Sequence, residues 1–117
     1  AASGFDTPAD FASAAVDIGL RLLAGEKPDL ALKFFKAAET SLEAIVKGTP
    51  DSQAVEKAGY LQLLSIVRGK YLNNPVQAKA DIERAITLRP QEKSITRLRD
   101  LIGREHGDVF KDKPTKN

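Results

Sequence analysis

The chain has 117 residues, of which 42% are hydrophobic and 29% charged, and its formal net charge is +2. This composition is ordinary for one soluble domain, and no stretch approaches the ~18 consecutive apolar residues of a membrane span. The absence of cysteine and the single histidine exclude disulfides, thiolate metal sites and multi-histidine metal sites. No glycine-rich phosphate loop and no nucleophile beside a base is present, so we expect a non-enzymatic protein without a cofactor.

The N-terminus of the sequence suggests processing. The chain starts Ala-Ala-Ser-Gly and contains no methionine at all. Small residues at the new terminus are typical after a targeting peptide has been removed. We therefore expect a soluble protein in an organelle, a plastid first, or an exported one, with a trimmed or partial sequence as the alternative.

Prolines punctuate the chain and predict where helices begin. An apolar-periodic stretch follows each of Pro8, Pro28, Pro50, Pro75 and Pro90. Proline is favoured at the first helical position because its missing N–H would have no intrahelical partner there. Five helices are predicted, approximately over residues 8–24, 28–47, 50–72, 75–88 and 91–104.

The predicted fold class is all-α, because no alternating β pattern of useful length appears. Connections of three or four residues require antiparallel neighbours, so the helices should form hairpins. We expect an extension at 1–6, a helical domain at 7–105 and a charged tail at 106–117. The predicted inward stripes are Phe11, Ala15, Ile18 and Leu22; Ala31, Phe35, Ala38, Leu42 and Ile45; Ala58, Leu61, Leu64 and Val67; Ala78, Ile82 and Ala85; and Ile95, Leu98 and Ile102.

Two stretches share one skeleton of small and bulky residues at helical spacing. Ala31, Phe35 and Ala38 lie four and three residues apart, and the same spacing recurs 47 residues later. This pattern resembles the second helix of a tetratricopeptide repeat. The family's positions fall on Ile18, Gly19, Leu22, Ala31, Phe35 and Ala38 in the first hairpin, and on Tyr60, Ala78, Ile82, Ala85 and Pro90 in the second.

The resemblance covers approximately residues 8–105, with a fifth helix like the family's C-terminal capping helix. It implies antiparallel hairpins in a short TPR-like right-handed superhelix. The usual period of the family is about 34 residues, so the second and third helices should be longer than usual. The second repeat lacks the small glycine where its helices should cross.

Such repeats usually hold other proteins, so the resemblance implies a module that binds a peptide or a helix of a partner in a concave groove. The groove positions that it implies are Val16, Leu20 and Leu23 in the first repeat and Leu61, Ser65 and Arg68 in the second. The first helix indicates the same surface independently. Its polar residues form one narrow stripe, which leaves a second apolar stripe of Val16, Leu20 and Leu23. A neighbouring helix, the chain's own tail or a partner must cover that stripe.

Basic charge concentrates in the second half of the chain. Residues 1–59 carry six basic and nine acidic residues, a net charge of −3, whereas residues 60–117 carry twelve and seven, a net charge of +5. On the fifth helix Lys93, Arg97 and Arg104 share one face, which could meet an acidic surface or the lipid headgroups of a membrane, or could simply be solvated. Interleaved aromatic residues are missing, so specific nucleic-acid binding is not expected.

Two smaller features complete the sequence interpretation. The tail contains one large apolar residue, Phe110, which either belongs to a disordered end or docks on a partner. Glu39 and Glu43 lie on one helix face and are interpreted as solvated surface. We expect a non-catalytic scaffold, adaptor or assembly factor that binds another protein; the alternative is a permanent soluble subunit of a larger, membrane-bound complex, for example a photosynthetic one.

Overall fold

The computed structural model describes residues 8–105, and over this range the chain is all-α, as predicted. Five α-helices and one π-helical turn lie within the described residues, and no strand does. The predicted extension at 1–6 and the predicted tail at 106–117 lie outside the described residues. The helices are α1 Pro8–Ala24, α2 Pro28–Gly48, α3 Ala54–Ile66, α4 Pro75–Leu88 and α5 Lys93–Glu105.

Three of the five prolines begin helices, as predicted. Pro8, Pro28 and Pro75 are the first residues of α1, α2 and α4. At α4 the side chain of Asn74 accepts a hydrogen bond of 3.5 Å from the backbone N–H of Gln77, so this helix also has a side-chain cap. The sequence signal for these three starts was local and therefore reliable.

Pro50 and Pro90 lie in turns instead of at helix starts, which corrects two predicted boundaries. The N–H of Gln53 donates to the C=O of Pro50 over 2.9 Å, so a turn precedes α3. Before α5, the N–H of Glu92 donates to the C=O of Arg89 over 3.1 Å. Pro90 is the second residue of that turn, where its fixed φ fits equally well. Both helices therefore begin later than the prolines predict.

The turn between α1 and α2 is closed by a residue other than glycine. Glu26 has a left-handed backbone with φ 62°. Its N–H donates to the C=O of Leu23 over 3.0 Å, and the N–H of Lys27 donates to the C=O of Leu22 over 2.8 Å. These two bonds satisfy carbonyls at the end of α1 and send the chain straight back into α2.

The first hairpin packs through one aromatic ring that lies against a glycine. A Cβ at Gly19 would lie 2.7 Å from Cε1 of Phe35, so only glycine allows this approach. Phe35 is 1% exposed, and its ring stacks on Tyr71 with 4.5 Å between centroids and 8° between planes. Gly19 and Phe35 are the two positions where the repeat resemblance places the small and the bulky residue.

The buried side of α1 is rotated from the predicted stripe. Ala15 is buried and Leu22 packs against the core, as predicted. Phe11 and Ile18 are 37% and 38% exposed, so their predicted inward positions are wrong. The cause is the close approach at Gly19, which turns the small residues of α1 inward. The buried side of α1 consists of Ala12, Ala15 and Gly19.

The inward stripes of the other four helices are confirmed. Most of their members belong to one core that continues across both hairpins and α5. Ile45 and Leu98 are partly buried and pack against this core. The buried members are Ala31, Phe35, Ala38 and Leu42 in α2; Ala58, Leu61 and Leu64 in α3, with Val67 just after it; Ala78, Ile82 and Ala85 in α4; and Ile95 and Ile102 in α5.

α3 does not continue as an α-helix to residue 72. It passes into a π-helical turn over Val67–Tyr71, where the N–H of Leu72 donates over 2.9 Å to the carbonyl five residues earlier. Gly69 lies in this turn, and a Cβ there would lie 2.9 Å from Cγ2 of Ile102 and 3.2 Å from Cβ of Ala78. The second hairpin therefore does have a glycine at a close approach, contrary to expectation, and the π turn supplies it.

The packing order of the helices follows the chain. α2 packs against α1 and against α3, α4 packs against α3 and the π turn, and α5 packs mainly against α4. Consecutive helices are therefore neighbours, as the short connections predict. That the hairpins wind into a TPR-like right-handed superhelix stays a prediction.

Candidate partner-binding surfaces

The predicted apolar stripe of α1 divides into a packed residue and two open ones. Val16 is partly buried and packs against the core, which removes it from the surface available to a partner. Leu20 and Leu23 are 40% and 42% exposed. No other described element encloses these two leucines, so covering by a neighbouring helix, one of the alternatives open from the sequence, does not apply to them.

The first hairpin carries most of the exposed large hydrophobic residues among the described ones. On α1 a polar ridge separates Phe11 and Ile18 on one side from Leu20 and Leu23 on the other. On this ridge Arg21 and Asp17 form an exposed ion pair of 3.2 Å. Large hydrophobic side chains are exposed at nine described positions, and six of these lie on α1 and α2. The six are Phe11, Ile18, Leu20, Leu23, Leu30 and Leu32, and the other three are Val55, Val76 and Leu101.

Two of the groove positions implied for the second repeat are interior. Leu61 is 1% exposed and Ser65 is 0% exposed, and the Ser65 hydroxyl donates to the carbonyl of Gln62 over 2.7 Å. The expectation that they line an open groove is therefore wrong for this fold. α3 lies between α2 and α4, so the side that was expected to face a partner is covered by the chain itself.

Arg68, the third implied groove position, is also buried, at 6% exposure. Its guanidinium binds three carboxylates from two other helices. It donates to both oxygens of Asp81 over 2.9 and 3.1 Å and to Glu39 over 2.9 Å, and a third ion pair joins it to Glu43. We call these four residues the Arg68 cluster. This cluster connects α2, the π turn and α4. Arg68 therefore has a structural role and does not make the expected contact with a partner.

The charges of the Arg68 cluster are unequal, with one cation facing three carboxylates. Burial alone would lower the pKa of Arg68, but the hydrogen bonds that it donates to Glu39, Asp81 and Glu43 together raise this pKa, so the guanidinium stays charged. Burial raises the pKa of Asp81 and the nearby charge of Glu43 adds to this, while Arg68 and, more weakly, Arg84 act in the opposite direction. The cluster is therefore tightly bonded but carries excess negative charge.

The basic face of α5 is open to solvent. Lys93, Arg97 and Arg104 are all exposed, and none of them forms an ion pair with another described residue. Leu101 beside them is 50% exposed. These three predicted residues therefore lie together on one surface, as expected from their spacing, and they remain candidates for contact with an acidic partner. Phe110 lies outside the described residues.

Sequence reasoning missed the partners of Arg68. The sequence predicts that Glu39 and Glu43 are solvated surface, because i, i+4 acidic pairs usually are. The available signal is an arginine in an otherwise apolar stretch just after α3, because a buried arginine needs a carboxylate partner. Its partners are far away in the sequence, and no local pattern identifies them.

Comparisons with known proteins add no relative. No family model matches the chain, and no significant match appears among curated proteins or solved structures. Within the described residues, no helix combines the length and apolarity that crossing a bilayer would require. The same residues contain no group of acidic, histidine or cysteine side chains arranged to hold a metal ion.

Proposed function

We propose that this protein is a non-catalytic interaction module that binds another protein through the exposed aliphatic surface of α1. In this role it would act as a scaffold, adaptor or assembly factor. The observation that carries the proposal is the exposure of Leu20 and Leu23, at 40% and 42%, on a helix that packs mainly against α2. Exposed aliphatic surface next to a polar ridge is typical of protein–protein contact sites.

The energetics support an interface in which these leucines are central. Covering the exposed part of each leucine would contribute about 1 kcal/mol, from roughly 25 cal/mol for each Å² of apolar surface. Two such residues would not form a stable complex alone, because a specific interface buries at least about 1,000 Å² in total. Other exposed side chains of the first hairpin, such as Ile18 across the polar ridge and Leu30 on α2, would have to supply additional apolar area.

Leu20→Asp tests the proposal. The substitution places a charge on a surface that is exposed in the free chain, so helical content and melting temperature should change little. Affinity for the partner should fall sharply because a carboxylate would be desolvated in the interface. The measurement is affinity purification of the tagged full-length chain from its native source, with circular dichroism of each purified variant.

Val76→Asp is the matched control, because Val76 is 64% exposed on the distant helix α4. The proposal predicts that one set of partners is recovered with wild type and with Val76→Asp and is missing with Leu20→Asp. Recovery of the same proteins with all three chains would contradict it. If Leu20→Asp unfolds the protein, Leu20 belongs to the core and the partner site must lie elsewhere.

The second candidate function is a permanent helical subunit of a larger complex, which includes the membrane-bound organellar complexes considered from the sequence. The concentration of exposed hydrophobic residues on the first hairpin favours it, since permanent interfaces are the more apolar class. Size-exclusion chromatography of native material separates the two roles. An adaptor should elute partly as the free chain, whereas a permanent subunit should elute only with the large assembly.

A further inference from the structure

The outer side of α5 combines positive charge with an accessible leucine. Lys93, Arg97 and Arg104 extend along this helix, and Leu101 lies between the two arginines with 50% of its surface exposed. Between Lys93 and Arg104 the one acidic residue is Asp100, which lies 3.7 Å from Arg99. Glu92, just before α5, pairs with Arg89 over 3.3 Å. The three basic groups therefore dominate the charge of this surface.

A shallow depression lies beside these charges, and all of its described lining belongs to α5. Leu98 reaches from it into the core and forms an apolar base beside Leu101. The described residues that line the concavity are Ser94, Arg97, Leu98, Asp100, Leu101 and Arg104. A ligand here would contact aliphatic carbon at the base and guanidinium groups at the rim.

We propose that this face of α5 binds an acidic amphipathic helix of a partner protein. Arg97 and Arg104 are seven residues apart, which is about 10.5 Å along a helix. Two carboxylates of a partner helix at positions i and i+7 have the same spacing and can each accept hydrogen bonds from one guanidinium. An aliphatic residue between those carboxylates then lies against Leu101. The face therefore selects a partner helix by the charge of its carboxylates and by the spacing between them.

The charges of the chain favour this occupant over two others. The chain's own tail, residues 106–117, carries three lysines against two aspartates, so its charge does not complement the face. A lipid surface is favoured by clusters of about four to eight basic residues, and this face has three. An acidic helix needs only the paired arginines and the leucine between them.

This proposal extends the proposed binding role to a second surface, and it rests on that role only in assuming a protein partner. The residues involved are different from those of α1. The Leu20→Asp variant should therefore bind the acidic helix as wild type does. Failure of one proposal would leave the other standing.

A designed peptide tests the α5 face directly. The probe is a fluorescein-labelled helical peptide with glutamates at i and i+7 and leucines between them, and the matched peptide has glutamine in place of each glutamate. Fluorescence anisotropy with the full-length chain should show tighter binding of the glutamate peptide by at least about tenfold, and this difference should shrink as salt is added.

Matched variants assign the binding to α5. Arg97→Glu with Arg104→Glu should weaken binding of the glutamate peptide at least about tenfold, whereas Lys33→Glu with Lys47→Glu, the same charge change on α2, should not. Leu101→Ala should weaken it a few-fold and Leu32→Ala should not.

Equal binding of the two peptides, or equal binding by both charge-reversed variants, would overturn the proposal. So would failure of the peptide to bind while the chain cosediments with vesicles of phosphatidylcholine and phosphatidylserine, since the face would then be a membrane surface.

Discussion

The two helical hairpins of this chain are held by different kinds of contact. In the first, the ring of Phe35 lies against Gly19, and the surrounding residues are small and apolar. In the second, a π turn interrupts α3 and carries Arg68, whose guanidinium binds carboxylates on α2 and α4. The close steric fit of Phe35 against Gly19 holds the first hairpin together, and the attachment of this hairpin to the second depends in addition on ion pairs. Substitutions that remove the steric fit or the buried charge can measure the two contributions separately.

The largest expected effect is the loss of the aromatic ring at Phe35. Phe35→Ala should reduce the free energy of unfolding by about 3–5 kcal/mol, because the ring is 1% exposed and contacts both α1 and Tyr71. Urea denaturation of the full chain measures this loss. Phe34→Ala is the neighbouring control and should cost less, since Phe34 is only partly buried. An unchanged midpoint for Phe35→Ala would mean that the hairpin packing described above is wrong.

Removal of the cation from the Arg68 cluster should have the second largest effect. Arg68→Ala leaves three carboxylates together and should cost about 3 kcal/mol, the lower end of the range for breaking a buried pair, because Glu43 is half exposed. Arg21→Ala removes an arginine whose ion pair with Asp17 is exposed, and it should leave the melting temperature unchanged within error. Equal melting temperatures for the two variants would show that charge contributes little to the attachment.

Gly19→Ala tests the steric fit between Gly19 and Phe35 by adding a single methyl group. The new Cβ would lie 2.7 Å from the ring of Phe35, so the ring must move and stability should fall by about 1–3 kcal/mol. Gly59→Ala is the matched control in α3, where a Cβ would meet nothing within 4 Å. That variant should gain about 0.5–1 kcal/mol from the better helix propensity of alanine. Opposite signs in the two midpoints are the expected result, and equal signs would contradict the close approach.

The smallest expected effect is a pH dependence of the Arg68 cluster. Because burial raises the pKa of Asp81 above its ordinary 3.8, the folded chain binds this proton more tightly than the unfolded chain does. The contribution of Asp81 to stability is therefore full below 3.8 and declines as the pH rises through the raised value. Relative to Asp81→Asn, the melting temperature of wild type should fall as the pH rises through this window. A relative increase would mean that Arg68 outweighs burial at this carboxyl.

The features that the sequence predicted correctly are those with a local physical cause. The stripe of Ala31, Phe35 and Ala38 follows from helical spacing, and Pro28 and Pro75 begin helices because of their own covalent geometry. The rotation of α1 could not be predicted in this way. It depends on how closely Gly19 approaches a ring on another helix, and a helical projection of α1 alone contains no information about that distance.

The candidate surfaces were predictable to a similar extent. Exposure of Leu20 and Leu23 follows from the surplus of apolar residues around α1, and the basic face follows from charges at helical spacing on α5. Burial of Leu61 and Ser65 was missed because it depends on which side of α3 the neighbouring helices cover. The π turn was missed because its bonds have no distinctive sequence signal, although the unusual spacing between the two repeat-like stretches required an adjustment somewhere.

The Arg68 cluster also bears on the cooperativity of unfolding. In a chain whose hairpins contact only their neighbours, each hairpin can open as a separate unit. Arg68 connects residues 29 and 25 positions earlier with one 13 positions later, so neither α2 nor α4 can unfold without leaving buried charge unpaired. The ionic contacts thereby make two hairpins that could open independently behave as one cooperative unit.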